Sequence, residues 1–246
     1  RNNFGFLSRR RMLAAHTLTK GCNNMIYNMD CIKGAQKYIA DESLDLIICD
    51  PPYNLGFGGT NMTKHKKARF AIIANDNLSR QEYQRFTFQW LHEAYRTLKT
   101  GRHIYIFIDW RMYPLMALWV QRAGFVIKNC IVWDKERMGM GWQYRYRHEL
   151  IIMAVKGKQK VRRISTRSDT DVWRIPRIPG AKTIHPTEKP VELMERIILN
   201  SSEEGELIGG FFLGSGPVIE AAHLHGRLVT GFEIDPIYFQ KSINRI

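Results

Sequence analysis

The chain has 246 residues, enough for one α/β domain with a sizeable core or two small ones. Lys plus Arg outnumber Asp plus Glu by 37 to 23, and the resulting charge of +14 favours a polyanionic partner, because neutralising phosphates drives such binding. No apolar run reaches the length of about 18 residues that a membrane-spanning helix needs, so no membrane partner is expected.

Residues Arg1 to Asn24 contain no acid and include Arg9-Arg10-Arg11, which reads as a basic N-terminal arm. Met25 to Asp30 is predicted as a short strand ending in an acid, and Ile32 to Ile39 as a short helix. Leu44 to Cys49 is an apolar run broken by one Asp, the pattern of a buried parallel strand. It stops at Asp50-Pro51-Pro52-Tyr53, where two prolines lack the amide donor that a ladder needs. An acid, rigid carbonyls and an aromatic ring are thereby held at a strand's carboxyl end, the edge where open α/β sheets bind ligands. A strand capped by a Pro-rich turn is the plainer reading of the same residues.

Asn54 to Phe70 follows, with Gly56, Gly58 and Gly59 for flexibility and Lys64, Lys66, Lys67 and Arg69 for charge. It is expected to be a mobile basic loop over the site, though a solvated surface loop has the same composition. Ser79 and Glu82 have the spacing of a capping box, predicting a helix to about Lys99 with Gly101 as its stop. His103 to Ile108 reads as a strand, Pro114 to Ala123 as a helix, and Phe125 to Trp133 and Glu149 to Val155 as further strands.

The rhythm breaks between Lys156 and Lys182, where nine basic residues meet only Asp169 and Asp171, with Trp173 interleaved. This stretch is expected to be an insertion that contacts nucleic acid, through Arg162, Arg163, Arg174 and Arg177 among others. A solvated charged face is the alternative, but such a face normally mixes both signs. Val191 to Leu199 is predicted helical and Glu206 to Phe212 extended. Gly214-Ser215-Gly216 should open a helix through His225, followed by a strand from Arg227 to Ile234 and a last helix from Pro236. Cys22, Cys31, Cys49 and Cys130 form no C-x-x-C pair and show no zinc-ligand spacing. They read as reduced and non-ligating in a cytosolic setting, with no metal expected.

Two distant stretches complement each other. Glycines between a strand and a helix at Phe212-Leu213-Gly214-Ser215-Gly216 allow a tight turn and close backbone approach to a ligand. Glu233 follows Gly214 by 19 residues, at the end of the next strand, where a carboxylate can accept both hydroxyls of a ribose. Asp30, at another strand end, could meet the adenine amine of the same nucleoside. A nicotinamide-nucleotide fold shares this half-site, but Ile219 stands where its third glycine would be. Nucleoside binding at the C-terminal end and chemistry at the N-terminal end describe a circularly permuted, doubly wound sheet.

His185-Pro186-Thr187-Glu188-Lys189-Pro190 just precedes the glycine turn. With this hexapeptide, the permuted order, Arg147-His148-Glu149, Asp171-Val172-Trp173-Arg174 and the Asp-Pro-Pro-Tyr turn, the chain resembles the β-class DNA amino-methyltransferases of restriction–modification systems. The likeness runs from about Met25 to the end. It implies a Rossmann-like, mostly parallel, circularly permuted S-adenosylmethionine-dependent methyltransferase fold, a single domain over residues 25–246. It also implies methyl transfer to the N6 amine of a flipped-out adenine in double-stranded DNA.

By the same resemblance Asp50, Pro51, Pro52 and Tyr53 handle the target base. Phe212, Leu213, Gly214, Ser215 and Gly216 wrap the cofactor's methionine part, and Thr187 and Lys189 help to close over its carboxylate. Glu233 holds the ribose, Asp30 and Cys31 the adenine, with Asp50 adjoining the cofactor. A cytoplasmic bacterial, archaeal or phage-encoded enzyme, often a homodimer, fits the family. The chain departs from the pattern at Gly210, where an Asp is usual, and at Pro217-Val218, where Thr-Thr is common. The alternatives are an N4-cytosine enzyme, an enzyme acting on RNA, and a weakly active, methyltransferase-like DNA-binding subunit.

Overall fold

The computed structural model describes residues 16–18, 24–56, 73–139, 141–179, 183 and 187–245, and only the backbone of 16–18. The chain runs β1 (His16–Leu18), β2 (Met25–Asn28), α1 (Cys31–Tyr38), β3 (Leu44–Cys49), α2 (Arg80–Thr97), β4 (Leu98–Ile108) and α3 (Tyr113–Arg122). It continues as β5 (Phe125–Asp134), β6 (His148–Lys156), β7 (Val172–Arg174), α4 (Val191–Ser201), β8 (Leu207–Gly210), α5 (Pro217–Leu224), β9 (Leu228–Glu233) and α6 (Pro236–Ile243).

Among the described residues the strands form one nine-stranded sheet in the order β1-β2-β9-β8-β3-β4-β6-β5-β7. Only β1 and β6 run against their neighbours. Seven strands therefore share a direction and open their carboxyl ends on one edge. Helices α1, α2 and α3 pack side by side on one face, and α4, α5 and α6 on the other. Every residue of β3 is buried, as its unbroken apolar run requires for a central strand covered on both faces. Asp45 is tolerated there because Lys99 donates to its Oδ1 at 2.7 Å.

Ser79 caps α2 with both halves of the capping box in place. Gly101 does not stop that helix, however. The chain is already extended at Leu98, and Gly101 lies inside β4 at φ +80°. A Cβ there would sit 2.2 Å from the Lys160 carbonyl oxygen, so glycine is required by the close approach of the 156–165 stretch.

Two strands were not anticipated. β1 pairs antiparallel with β2, and Asn24, at the junction, accepts from the Val229 amide at 2.8 Å. The described part of the expected basic arm thus belongs to the sheet; residues 1–15 and 19–23 lie outside the described residues. β7 adds the other edge, parallel to β5, and buries Trp173. The indole of Trp173 donates to the Thr170 carbonyl at 2.7 Å and lies under the Arg196 guanidinium. That basic stretch is therefore not a free insertion: its second half completes the sheet.

Candidate active site

Strand order reverses between β8 and β3. The chain leaves β3 through α2 towards β4, and leaves β8 through α5 towards β9, in opposite directions. A crevice opens at such a switch point, outside the carboxyl ends of the strands. The two distant turns lie here on adjacent strands, with Ile48 facing Gly210 in the ladder. A cavity of about 360 Å³ is lined by Asp50, Pro51, Pro52 and Tyr53 from one turn and Phe212, Leu213, Gly214 and Ser215 from the other. Asp30, Cys31, Thr187, Lys189 and Glu233 also reach its wall.

The glycine turn is a built cradle. Gly216 caps α5 at φ +83°, where a Cβ would lie 2.8 Å from Ser242, so only glycine lets the helix start there. The Gly214 amide donates to Glu233 Oε2 at 2.7 Å, and the Asp235 amide donates to Oε1 at 2.8 Å. Each carboxylate oxygen keeps a lone pair for a further donor. Burial pushes Glu233 up to about 7, against the pull of those two amides. Asp30 caps α1 by accepting from the Lys33 amide at 3.0 Å, and burial raises the Cys31 thiol. At Gly210 a Cβ would fall 2.4 Å from Leu213 Cδ2. The Leu213 side chain takes the room an acid would need, so the departure from the family pattern is packed rather than vacant.

The Asp-Pro-Pro-Tyr turn is held from several sides. Tyr83 of α2 donates to the Pro52 carbonyl at 2.8 Å, and the Asn54 side chain bridges both backbone groups of Leu78. Lys189, only 3% exposed, places its ammonium 2.9 and 2.8 Å from the two oxygens of Asp50. Tyr53 donates its hydroxyl to Asp50 Oδ1 at 2.7 Å, and Lys189 lies over the rings of Tyr53 and Phe107. Lys189 therefore belongs with the acid of the turn rather than with the glycine cradle as expected. Lys189 also lies 3.2 Å from the Tyr53 hydroxyl, so Tyr53, Asp50 and Lys189 form one hydrogen-bonded group.

Glu149 completes this group. Its Oε2 lies 3.4 Å from Lys189 and 3.3 Å from the Tyr53 hydroxyl, and its Oε1 pairs with Lys135. Burial would raise Glu149, but the two ammonium groups overcome it and hold the carboxyl at about 2. Burial raises Asp50, while Lys189 pulls it back. Two carboxylates and two ammonium groups thus neutralise one another inside the site. Glu149 was read from sequence only as part of a matching tripeptide, and Lys135 carried no signal at all; the chain reversal between β5 and β6 that joins them is not local.

The basic residues divide by edge. Lys64, Lys66, Lys67 and Arg69 lie outside the described residues. Arg174 and Arg177 are exposed at the carboxyl edge, where the Arg177 amide donates to the Lys135 carbonyl at 3.3 Å. Arg162 differs from the expectation. The Arg162 amide donates to the Gly101 carbonyl, near the start of β4, and its guanidinium is fastened to Glu206 at 2.5 and 2.6 Å. Arg162 thus sits at the sheet's amino edge with its guanidinium already paired, while Arg163 beside it is exposed.

The DNA methylase model of the N6/N4 methyltransferases matches residues 44–244. The chain belongs to this DNA methylase family. It is 30% identical over 236 residues to the type II methyltransferase M.HpaI of Haemophilus parainfluenzae, covering 86% of this chain and 71% of that protein. It is 28% identical over 225 residues to M2.DpnII of Streptococcus pneumoniae, covering 83% of each. Among solved structures, the M1.HpyAVI complex with SAM superposes with a TM-score of 0.64 at 22% identity, over 90% of this chain and 98% of that one. The cytosine-N4-specific PvuII methyltransferase gives 0.72 at 15% identity, over 91% and 86%. The chain is an S-adenosylmethionine-dependent DNA methyltransferase of the restriction–modification type. Among the described residues no helix is long and apolar enough to cross a membrane.

Proposed function

We propose that this methyltransferase modifies the N6 amine of adenine in double-stranded DNA, flipped into the cavity beside Asp50. The juxtaposition of the Asp50 turn and the glycine turn across one cavity carries the reading. The glycine cradle with the Glu233 carboxylate suits a nucleoside cofactor, with Asp30 and Cys31 at the base end. When bound, S-adenosylmethionine supplies an electrophilic methyl on a positively charged sulfur.

The adenine amine is a weak nucleophile because its lone pair is delocalised into the ring. Asp50 and the Pro51 carbonyl accept its two N–H bonds, which draws the nitrogen towards tetrahedral geometry and aims its lone pair into the cradle. As the nitrogen–carbon bond would form, the methyl–sulfur bond would break with its electron pair left on sulfur, and the proton that the nitrogen must lose would pass to Asp50. Its carboxylate is suited to this because burial raises its affinity for a proton, while Lys189 and Tyr53 fix its position. Pro52 stiffens the turn. Flipping costs about a few kcal/mol, which contacts to the extruded base and to phosphates offset.

Incubation of defined duplexes with tritiated cofactor, followed by nucleoside mass spectrometry, tests the reading. N6-methyladenine is expected; N4-methylcytosine would overturn the choice of base, and no incorporation despite cofactor binding would favour a DNA-binding subunit. The homodimer and the cytoplasmic setting that the family resemblance implies belong to the same proposal, and sedimentation of the pure protein tests the former.

A further inference from the structure

The reversal between β5 and β6 carries a feature that the methyl-transfer chemistry leaves unused. The Lys135 amide donates to the Arg147 carbonyl at 2.9 Å and the Gly139 amide to the Tyr146 carbonyl at 2.6 Å, so the two limbs form a hairpin that extends past the sheet. At its tip a Cβ on Gly141 would lie 2.2 Å from the Tyr144 carbonyl oxygen, so the turn is tight and needs glycine there. Trp142 is 96% exposed and Tyr144 91% exposed on this tip. Large aromatic rings held in water at the end of a narrow turn are costly unless something covers them.

Position and charge select the occupant. β5 runs parallel to β3 and β4, since both β4 and β5 pair antiparallel with β6, so the hairpin leaves the same edge as the Asp50 turn. Its base is joined to the site, since Lys135 pairs with Glu149, which meets Tyr53. Arg137 and Arg145 lie exposed along it and Arg174 and Arg177 beside its base, while Arg147 and Arg111 are already paired with Asp134 and Asp109. Aromatic rings interleaved with arginines fit stacked bases between phosphates.

We propose that the hairpin tip opens the duplex, with Trp142 entering the base stack at the position the target base vacates. The inference rests on the proposed base flipping and adds the element that drives it. Tip and cavity lie off the same edge of one sheet, so a base leaving the stack at Trp142 is delivered towards Asp50. Filling the vacated gap with a ring restores the stacking that extrusion removes and slows return of the base.

The test compares Trp142→Ala, Trp142→Phe and the parent on two duplexes carrying the adenine first mapped by methylation of plasmid DNA. One duplex is fully paired; in the other the target faces an abasic site, where extrusion costs little. Single-turnover methylation by Trp142→Ala is expected to fall about 10- to 100-fold on the paired duplex and to recover to within a few-fold of the parent on the abasic one. Trp142→Phe should retain most of the rate on both, and 2-aminopurine at the target should brighten with the parent but not with Trp142→Ala. Unchanged methylation of the paired duplex by Trp142→Ala would overturn the proposal. So would an equal loss on both duplexes, and if a dimer also dissociated the tip would instead belong to contact between two copies of the chain. A parent that binds cofactor yet methylates neither duplex would sink the underlying assignment, and this inference with it.

Discussion

The two edges of the sheet use the same residue types for opposite ends. At the amino edge, four basic side chains are engaged internally: Lys99 and Arg102 on Asp45, Arg162 on Glu206, Lys156 on Glu42. At the carboxyl edge, Arg137, Arg145, Arg174 and Arg177 stand exposed with Trp142 and Tyr144, beside a site where Asp50, Glu149, Lys135 and Lys189 neutralise one another. The net charge of +14 is therefore a poor map of the DNA-facing surface. What separates a structural arginine from one available to phosphate is which strand end it adjoins, and whether an acid is anchored beside it.

The largest expected effect is at Lys189. Lys189→Met leaves Asp50 and Glu149 facing each other without the ammonium between them, and should cost about 3–5 kcal/mol of stability, read by denaturant unfolding. A variant as stable as the parent would show that the buried ion group is not holding the site. Next comes Asp50→Asn, which keeps shape but removes the proton acceptor. Methyl transfer should drop about 10²- to 10³-fold while cofactor binding, measured by calorimetry, persists.

The contrast between edges is sharpened by a matched pair. Arg162→Ala should lose about 2–3 kcal/mol of stability yet leave the salt dependence of DNA binding unchanged. Arg174→Ala with Arg177→Ala should do the reverse, lowering affinity and flattening the salt slope by about one for each phosphate no longer neutralised. If Arg162→Ala flattened that slope, the division between edges would fail.

The smallest effect is a pH dependence at Glu233, held at about 7 against an ordinary 4.5. A raised carboxyl stabilises the folded state below pH 4.5, and that contribution is lost as pH rises towards 7. Cofactor affinity should move the opposite way, strengthening over the same range as the carboxylate forms. Glu233→Gln should flatten both trends; a pH-dependent affinity that survives it would assign the effect to another group.

Much of the frame is legible in the sequence. β3 begins and ends where its apolar run does, the Ser79–Glu82 box starts α2 as spaced, and the permuted order correctly brought the two turns together. The failures share a cause. Gly101 looks like a helix stop, because nothing local shows that the Lys160 backbone will press against it. β7 has three residues and draws its place from pairing with β5, not from its own pattern. Arg162 and Arg174 are indistinguishable by composition; only tertiary pairing sends one to Glu206 and the other to the open edge. Within the cavity, Asp50 and Glu233 were legible because each ends a strand, whereas Lys135 acquires its role from a hairpin that closes across the sheet.

The neighbours of β3 have a consequence for synthesis. β3 gains β4 early, but its other side is filled only by β8, through pairs such as Ile47 with Gly209. A ribosome must translate everything from β3 through β8 before that seam can close. Until then the nascent polypeptide carries an apolar strand with one bare flank, a template for pairing with the wrong partner. The enzyme's ability to modify DNA thus appears only once β8 and β9 have emerged, and the chain before that point is the form most exposed to mispairing.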